Sequence, residues 1–263
     1  MVSATELADS GTAAGLVPDL LDDAAGEPEE RAGALSAKFA GADAQTLVRL
    51  ALTLYKGKIA LVSSFGAESA VLLHMVSEID RSTPVIFLDT GRLFAQTMLY
   101  RNELARRLGL TDVRTAQPHA WRLAQEDPDR LLSYKDPDLC CWIRKVEPLD
   151  EALTPFSAWI TGRKRYQSGT RAALAPFEAD GGRIKVNPLA DWTSRDVATY
   201  LEAHGLPPHP LVADGYPSIG CQPCTSRVKS GEDARAGRWR GRSKVECGIH
   251  SQTPSPERSG SGI

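Results

Sequence analysis

Between about Ala34 and Gly205, short apolar runs alternate with longer stretches in which apolar residues recur every three or four positions. Lys58-Ile-Ala-Leu-Val62 is a run of the first kind, and Ser63-Ser64-Phe65-Gly66 ends it. Ala67 to Val76 then carries apolar residues at helical spacing, so the stretch predicts a strand, a small-residue turn and a helix. The unit repeats, with Pro84-Val-Ile-Phe-Leu88 as a buried strand, Asp89-Thr90-Gly91-Arg92 as the turn, and Leu93 to Leu108 as an amphipathic helix closed by Gly109. Asp112 to Thr115 predicts a third strand and Trp159 to Thr161 a fourth. Arg183 to Pro188 predicts a fifth at an antiparallel edge, and a helix is expected from Arg144 to Leu153. Strands alternating with helices of this length predict an α/β fold, doubly wound, with a mostly parallel sheet covered on both faces. Ligands of such sheets sit beyond the carboxyl ends of the strands, where the strand order reverses, which directs attention to the two turns.

Composition sets the limits of that domain. The 263 residues are 42% apolar and exceed what one core needs. The start is acidic and rich in small residues, with Asp22, Asp23, Glu27, Glu29 and Glu30, and Ser251 to Ile263 is rich in Ser, Pro and Gly. We therefore divide the chain into an acidic tail (1–33), an α/β domain (34–225), a mobile segment (226–250) and a second tail (251–263). A net charge of −2 argues against a general nucleic-acid binder. There is no secretory signal and no apolar run long enough to span a membrane, so a cytoplasmic location, with reduced cysteines, is expected. Oligomeric state is left open, a homo-oligomer included.

Candidate chemistry concentrates in five cysteines: the touching pair Cys140-Cys141, the Cys221-Gln-Pro-Cys224 motif, and Cys247 alone in Glu-Cys-Gly-Ile-His. Four soft thiolates, if the fold brings the pair against the CxxC, suit iron–sulfur or zinc. The fifth is a candidate nucleophile. The turn Ser63 to Gly66 can offer hydroxyls, backbone N–H groups and a helix N-terminus to an anion, although it is neither a Walker A loop nor a full dinucleotide fingerprint. Positive charge gathers around the cysteines: Arg144 and Lys145, then Arg163 to Arg165 and Arg171, then Arg235, Arg238, Arg240, Arg242 and Lys244, with no acid from 235 to 245. Arg240 and Arg242 read as a solvated face. Lys145, Arg171, Arg235 and Arg238 read as an anion site assembled from separate segments. Cations near Cys247 would favour its thiolate, the nucleophilic form.

Ser64-Phe-Gly-Ala-Glu-Ser-Ala-Val-Leu-Leu-His74, Phe87-Leu-Asp-Thr-Gly-Arg-Leu-Phe94, Cys140-Cys-Trp-Ile-Arg-Lys-Val-Glu-Pro-Leu149, Ile160-Thr-Gly-Arg163, Gly215 to Thr225 and Glu246-Cys-Gly-Ile-His250 together resemble the assimilatory sulfonucleotide reductases. The vicinal pair plus CxxC is similar to the iron–sulfur branch that acts on adenosine 5′-phosphosulfate. The resemblance implies a Rossmann-like fold of the adenine nucleotide alpha hydrolase type. It further implies a [4Fe–4S] cluster on Cys140, Cys141, Cys221 and Cys224, and an adenosine site lined by Ser63, Ser64, Phe65, Gly66, Phe87, Leu88 and Gly162. Lys145, Arg171, Arg235 and Arg238 would embrace the phosphosulfate. Cys247 would take up the sulfonate, and thioredoxin would release sulfite. Lys145 would link cluster and substrate electrostatically, without electrons passing through the cluster. Glycines 231, 237, 241 and 248 imply a flap that opens and closes. His250 is expected to be structural.

Two departures stand out: Ser69 occupies a position where many relatives have an acid, and the chain continues past His250. Three rival readings are reduction of the 3′-phosphorylated nucleotide, a tRNA sulfur transferase of the ATP-pyrophosphatase type, and a redox-sensing metal module. The second would want a Ser-Gly-Gly-x-Asp-Ser loop in place of Ser63-Ser-Phe-Gly-Ala-Glu-Ser69.

Overall fold

A computed structural model describes residues 26–250. In chain order the main elements begin with α1 (Pro28–Lys38), α2 (Ala44–Leu54), β1 (Ile59–Ser63), α3 (Ser69–Ser77), β2 (Val85–Leu88), α4 (Ala95–Leu108) and β3 (Val113–Ala116). They continue with α5 (Ala120–Glu126), α6 (Leu132–Lys135), α7 (Pro137–Cys141), a π-helical turn (Trp142–Val146), α8 (Glu147–Leu153) and β4 (Ala158–Ile160). β5 (Phe177–Asp180), β6 (Arg183–Val186), α9 (Ser194–Ala203) and α10 (Pro210–Ala213) complete the set.

The strands form one six-stranded sheet in the order β3-β2-β1-β4-β6-β5, parallel except for the β5–β6 pair. Alternation within each central strand explains why the runs are apolar throughout. Ile59, Leu61, Val85, Phe87, Ala158 and Ile160 join the core under α1 to α4. Ala60, Ile86, Leu88 and Trp159 point to the opposite face, where Leu149 and Leu153 of α8 meet them. Both faces are therefore buried, as a doubly wound sheet requires. The strand order reverses at β1, because the chain leaves β1 toward β2 on one side and leaves β4 toward β6 on the other.

The structure corrects the sequence reading in two places. The strand expected at Arg183 to Pro188 does pair antiparallel, but it is not the edge: β6 pairs parallel with β4 on one side and antiparallel with β5 on the other, and β5, which follows a polar, weakly periodic stretch, takes the edge. The acidic stretch up to residue 33 contains the start of α1. Pro28 sits in its first turn, Glu29 and Glu30 favour the positive end of the helix, and Ala32 and Leu35 are buried against the sheet. Residues 1–25 of the expected first tail and all of 251–263 lie outside the described residues. Among those described, no helix is long and apolar enough to cross a membrane.

Between Asp136 and Leu153 the chain makes one helical run with a widened centre. Asp136 caps it by accepting from the N–H groups of Asp138 and Leu139. Pro148 has no N–H to give to Arg144, and its ring crowds that carbonyl. The turn relaxes to π geometry, with Glu147 N–H donating to Trp142 five residues back. This places Cys140, Cys141, Arg144 and Lys145 in or beside the irregular turn.

Candidate active site at the carboxyl ends of the strands

A cavity of about 260 Å³ opens where β1 and β4 part company, at the reversal of strand order. Ser63, Ser64 and Gly66 line it from the end of β1, Leu88 from β2, and Thr161 and Gly162 from β4. The turn after β1 is shaped by its aromatic residue. Phe65 has a positive φ of 48° and is fully buried, its ring standing edge-on to Phe87 at 5.4 Å. Ser63 Oγ accepts from Phe65 N–H at 3.2 Å and helps hold this bend. Phe65 and Phe87 thus lie beneath the cavity rather than in its lining.

Lys145, Arg171, Arg235, Arg238 and Cys247 all line the same cavity, drawn from three separate stretches of chain. The cations differ in their partners. Arg171 grips Glu246 with two hydrogen bonds of 2.8 Å from Nε and Nη2, and its Nη1 donates to Gln167 at 2.6 Å. Arg235 approaches the same carboxylate at 3.5 Å and donates to the Val245 carbonyl at 3.1 Å. Arg238 lies over Gly220 and the Trp239 ring, makes one long 3.4 Å contact to the Ile219 carbonyl, and leaves its buried Nε without a partner. Burial disfavours the charged form of Lys145, yet the facing sulfurs of Cys221, Cys247 and Cys141 outweigh it and raise its pKa above the usual lysine range. Several of the other basic residues noted in the sequence pair with acids: Arg163 with Glu178, Lys164 with Glu68, Arg165 with Asp191, Arg240 with Glu232 and Lys244 with Asp138, whereas Arg242 donates to the Ser133 carbonyl.

The segment bearing Cys247 is laid against the domain by specific contacts. Thr225 and Arg238 form an antiparallel bridge, Trp239 N–H donates to the Cys224 carbonyl at 3.0 Å, and Ser226 N–H donates to Gly237 at 2.8 Å. Beyond Cys247, Ile249 packs on the second core and His250 stacks on Trp159, ring centroids 5.6 Å apart. Burial and four surrounding cations keep the His250 pKa well below the ordinary histidine value, and its Nδ1 has no hydrogen-bond partner among the described residues. His250 also lines the cavity.

Cys140, Cys141 and Cys221 are buried, Cys224 is half-buried, and all are free thiols. Electrostatic coupling links Cys140 to Cys221 and Cys224, and Cys141 to Cys221. Burial pushes Cys140 up to about 11 and Cys141 up to about 12, against the pull of Arg144 and Lys145 respectively. At neutral pH such thiols keep their protons unless a metal displaces them. Among the described residues, no three His, Cys, Asp or Glu side chains are grouped to hold a single metal ion. The Thr90 hydroxyl lies 3.2 Å from Cys221 Sγ, and its backbone carbonyl accepts from Arg144 at 2.8 Å. Arg144 is held in turn by buried Asp127 at 2.5 Å. The Asp89 to Arg92 turn therefore backs the cysteines instead of capping α4, whose cap position is Phe94.

Sequence reasoning missed the polar floor opposite the cysteines. Glu68 accepts from Lys164 Nζ at 2.7 Å, Tyr166 OH at 2.7 Å and Gln167 Nε2 at 2.8 Å, and all four residues line the cavity. Burial would raise the Glu68 pKa, but Lys164 and these hydrogen bonds keep it below the usual range. A single acid beside Ser69 and a lysine about a hundred residues away carry no spacing signal. Glu246 was passed over because its partners, too, lie far off in sequence.

The comparisons with known proteins agree with this architecture. The phosphoadenosine phosphosulfate reductase domain matches residues 58–227. An adenosine 5′-phosphosulfate reductase of Mesorhizobium japonicum is 54% identical over 224 residues, which cover 82% of this chain and 88% of the relative. A phosphoadenosine 5′-phosphosulfate reductase of Gloeobacter violaceus is 39% identical, covering 79% and 88%. The crystal structure of a phosphoadenylyl-sulfate reductase from Candida auris, in complex with phosphate, superposes with a TM-score of 0.65 at 28% identity, covering 76% of this chain and 97% of that one. With the family's domain spanning the sheet and the CxxC, and relatives alike along most of the chain, this protein belongs to the phosphoadenosine phosphosulfate reductase family of sulfonucleotide reductases.

Proposed function

We propose that this chain reduces adenosine 5′-phosphosulfate to sulfite and AMP, with Cys247 as the nucleophile and thioredoxin as the reductant, in the assimilation of sulfate toward cysteine. The observation that carries the reading is the placement of Cys247 in one cavity with Lys145, Arg238 and the β1 turn. The 54% identical relative bears the name of that activity, which favours the nucleotide without a 3′-phosphate.

The nucleotide would lie across the β1 turn and Gly162, where Ser63, Ser64 and backbone N–H groups face the cavity. Among the described residues Lys145 and Arg238 form no ion pair with a carboxylate, and they would meet the sulfonate and phosphate oxygens. Cys247 thiolate attacks the sulfur, an S–S bond forms, the sulfur–oxygen bond to phosphate breaks, and AMP leaves with the electron pair. Fixed cations that bind the developing charge on the leaving oxygens lower the barrier. A thioredoxin thiolate then attacks Sγ of Cys247 and expels sulfite. The second thioredoxin thiol resolves the mixed disulfide, so the dithiol supplies both electrons and Cys247 returns to its reduced form. Such a cycle suits the reducing cytoplasm.

Cys140, Cys141, Cys221 and Cys224 would hold a [4Fe–4S] cluster. The donor set fits such a group: four soft thiols, with Cys140 electrostatically coupled to Cys221 and Cys224 and Cys141 to Cys221, match the all-cysteine ligation that iron–sulfur clusters take. When bound, the group supplies structural and electrostatic support beside Lys145 rather than a relay of electrons to substrate.

Intact-protein mass after mixing with adenosine 5′-phosphosulfate and no reductant tests the reading. One added sulfonate is expected, mapped to Cys247, removed by thioredoxin, and absent in Cys247→Ser. An unmodified mass refutes it. Parallel turnover of the 3′-phosphorylated nucleotide assigns the substrate, and visible absorption with stoichiometric iron separates cluster from zinc.

A further inference from the structure

Glu246 is the only acid between residues 235 and 250, and it immediately precedes Cys247. Its carboxylate is held by Arg171 through two 2.8 Å bonds, with Arg235 at 3.5 Å, and the paired side chains are only 10% and 21% exposed. Planar bidentate pairing of this kind fixes direction as well as distance. Arg171 is anchored in turn: its Nη1 donates to Gln167, whose Nε2 donates to Glu68, itself held by Lys164. A continuous run of polar contacts thus joins the loops after β1 and β4 to the residue beside the nucleophile. Arg171 spends Nε, Nη1 and Nη2 on protein partners, whereas the buried Nε of Arg238 has no hydrogen-bond partner among the described residues.

We propose that Glu246 is a positioning residue whose pairing with Arg171 docks Cys247 in the cavity. The inference rests on Cys247 being the nucleophile. The neighbouring geometry fits a dock of this kind. Gly248 turns the chain directly afterwards with a φ of 86°, and Val245 on the other side is 56% exposed, so Glu246 is the inward-held polar residue of the strip. Neighbouring Cα atoms are about 3.8 Å apart, so fixing the Glu246 carboxylate limits where the Cys247 sulfur can go.

The test uses the full-length protein and two readouts. One is the rate of Cys247 alkylation by iodoacetamide without substrate, read by peptide mass, which does not depend on the reductase reading. The other is single-turnover formation of the sulfonate adduct at saturating adenosine 5′-phosphosulfate. Glu246→Gln is expected to raise alkylation at least about fivefold and slow adduct formation at least about tenfold, with KM moving less than about threefold. Arg171→Gln should raise alkylation by a similar factor, and the double variant should be alkylated no faster than either single variant. Glu246→Asp, which keeps the charge but shortens the reach, should fall between wild type and Glu246→Gln and guards against simple misfolding. Faster transfer or lower KM in Glu246→Gln would show instead that the carboxylate competes with substrate. Multiplying effects on alkylation in the double variant would show that the two side chains act independently and not as one dock. Either result overturns the proposal. If wild type forms no adduct, the nucleophile reading fails while the alkylation series still judges the dock.

Discussion

His209 illustrates how much a single side chain can decide in this fold. It is 1% exposed, accepts the Leu211 N–H through Nδ1 at 3.1 Å, and lies 3.1 Å from Thr97 Oγ1 through Nε2. Because Nδ1 accepts, the proton of the neutral ring sits on Nε2 and is donated to Thr97. Burial lowers its pKa from 6.5 to about 4. The folded form thus resists protonation more than the unfolded form does, so its stability contribution is complete above pH 6.5 and is lost as the pH falls toward 4. The loss amounts to about 3 kcal/mol. Urea unfolding at pH 7 and pH 4.5 should show that slope in the wild type and a shallower one in His209→Gln. Phe65 makes the opposite kind of demand, since a positive φ of 48° costs about 1 kcal/mol and is tolerated because the ring is sealed against Phe87. Neither effect could be read from the letters, because both arise from neighbours that the fold supplies.

At the scale of elements, the segment after the CxxC holds its course through backbone pairing with almost no regular structure. Gly237 is required there for a reason of space. A Cβ at this position would stand 2.1 Å from the Ser226 carbonyl oxygen, which belongs to the partner stretch of the pairing. Gly237→Ala should therefore push Arg238 and Trp239 away from Gly220 and Cys224. We expect at least about a tenfold loss of adduct formation and faster proteolysis within residues 226–245, with the urea midpoint of the domain little changed. An equal loss of global stability would argue that the segment is an integral part of the domain. The same scale shows where periodicity misled. β5 is an edge strand with one fully buried residue, Phe177, so it lacks the apolar run that marked the central strands. α1 looked like an acidic tail because its apolar contribution rests on Ala32 and Leu35.

For the whole molecule, the cavity joins the end of β1, the loop after β4 and the segment bearing Cys247, so a ligand there should tie all three together. AMP at about a hundred times its dissociation constant should stabilise the native state by about 2.7 kcal/mol. A thermal shift that rises with AMP and is much reduced in Lys145→Gln would agree, and the absence of any shift would move the nucleotide site elsewhere. The strand-helix alternation, the division of five cysteines into four and one, and the family motifs were legible in the sequence because each is local or carried by fixed spacing. Those features determined the fold class and named a candidate nucleophile and candidate metal ligands. Only the tertiary structure decided how the cations divide, with Arg171 and Arg235 on Glu246 while Arg238 and Lys145 line the cavity with no carboxylate partner among the described residues. The same holds for Glu68 with Lys164 and for Thr90 behind Cys221. Charge pairing depends on distance in space between residues up to about a hundred positions apart, and no one-dimensional pattern records it.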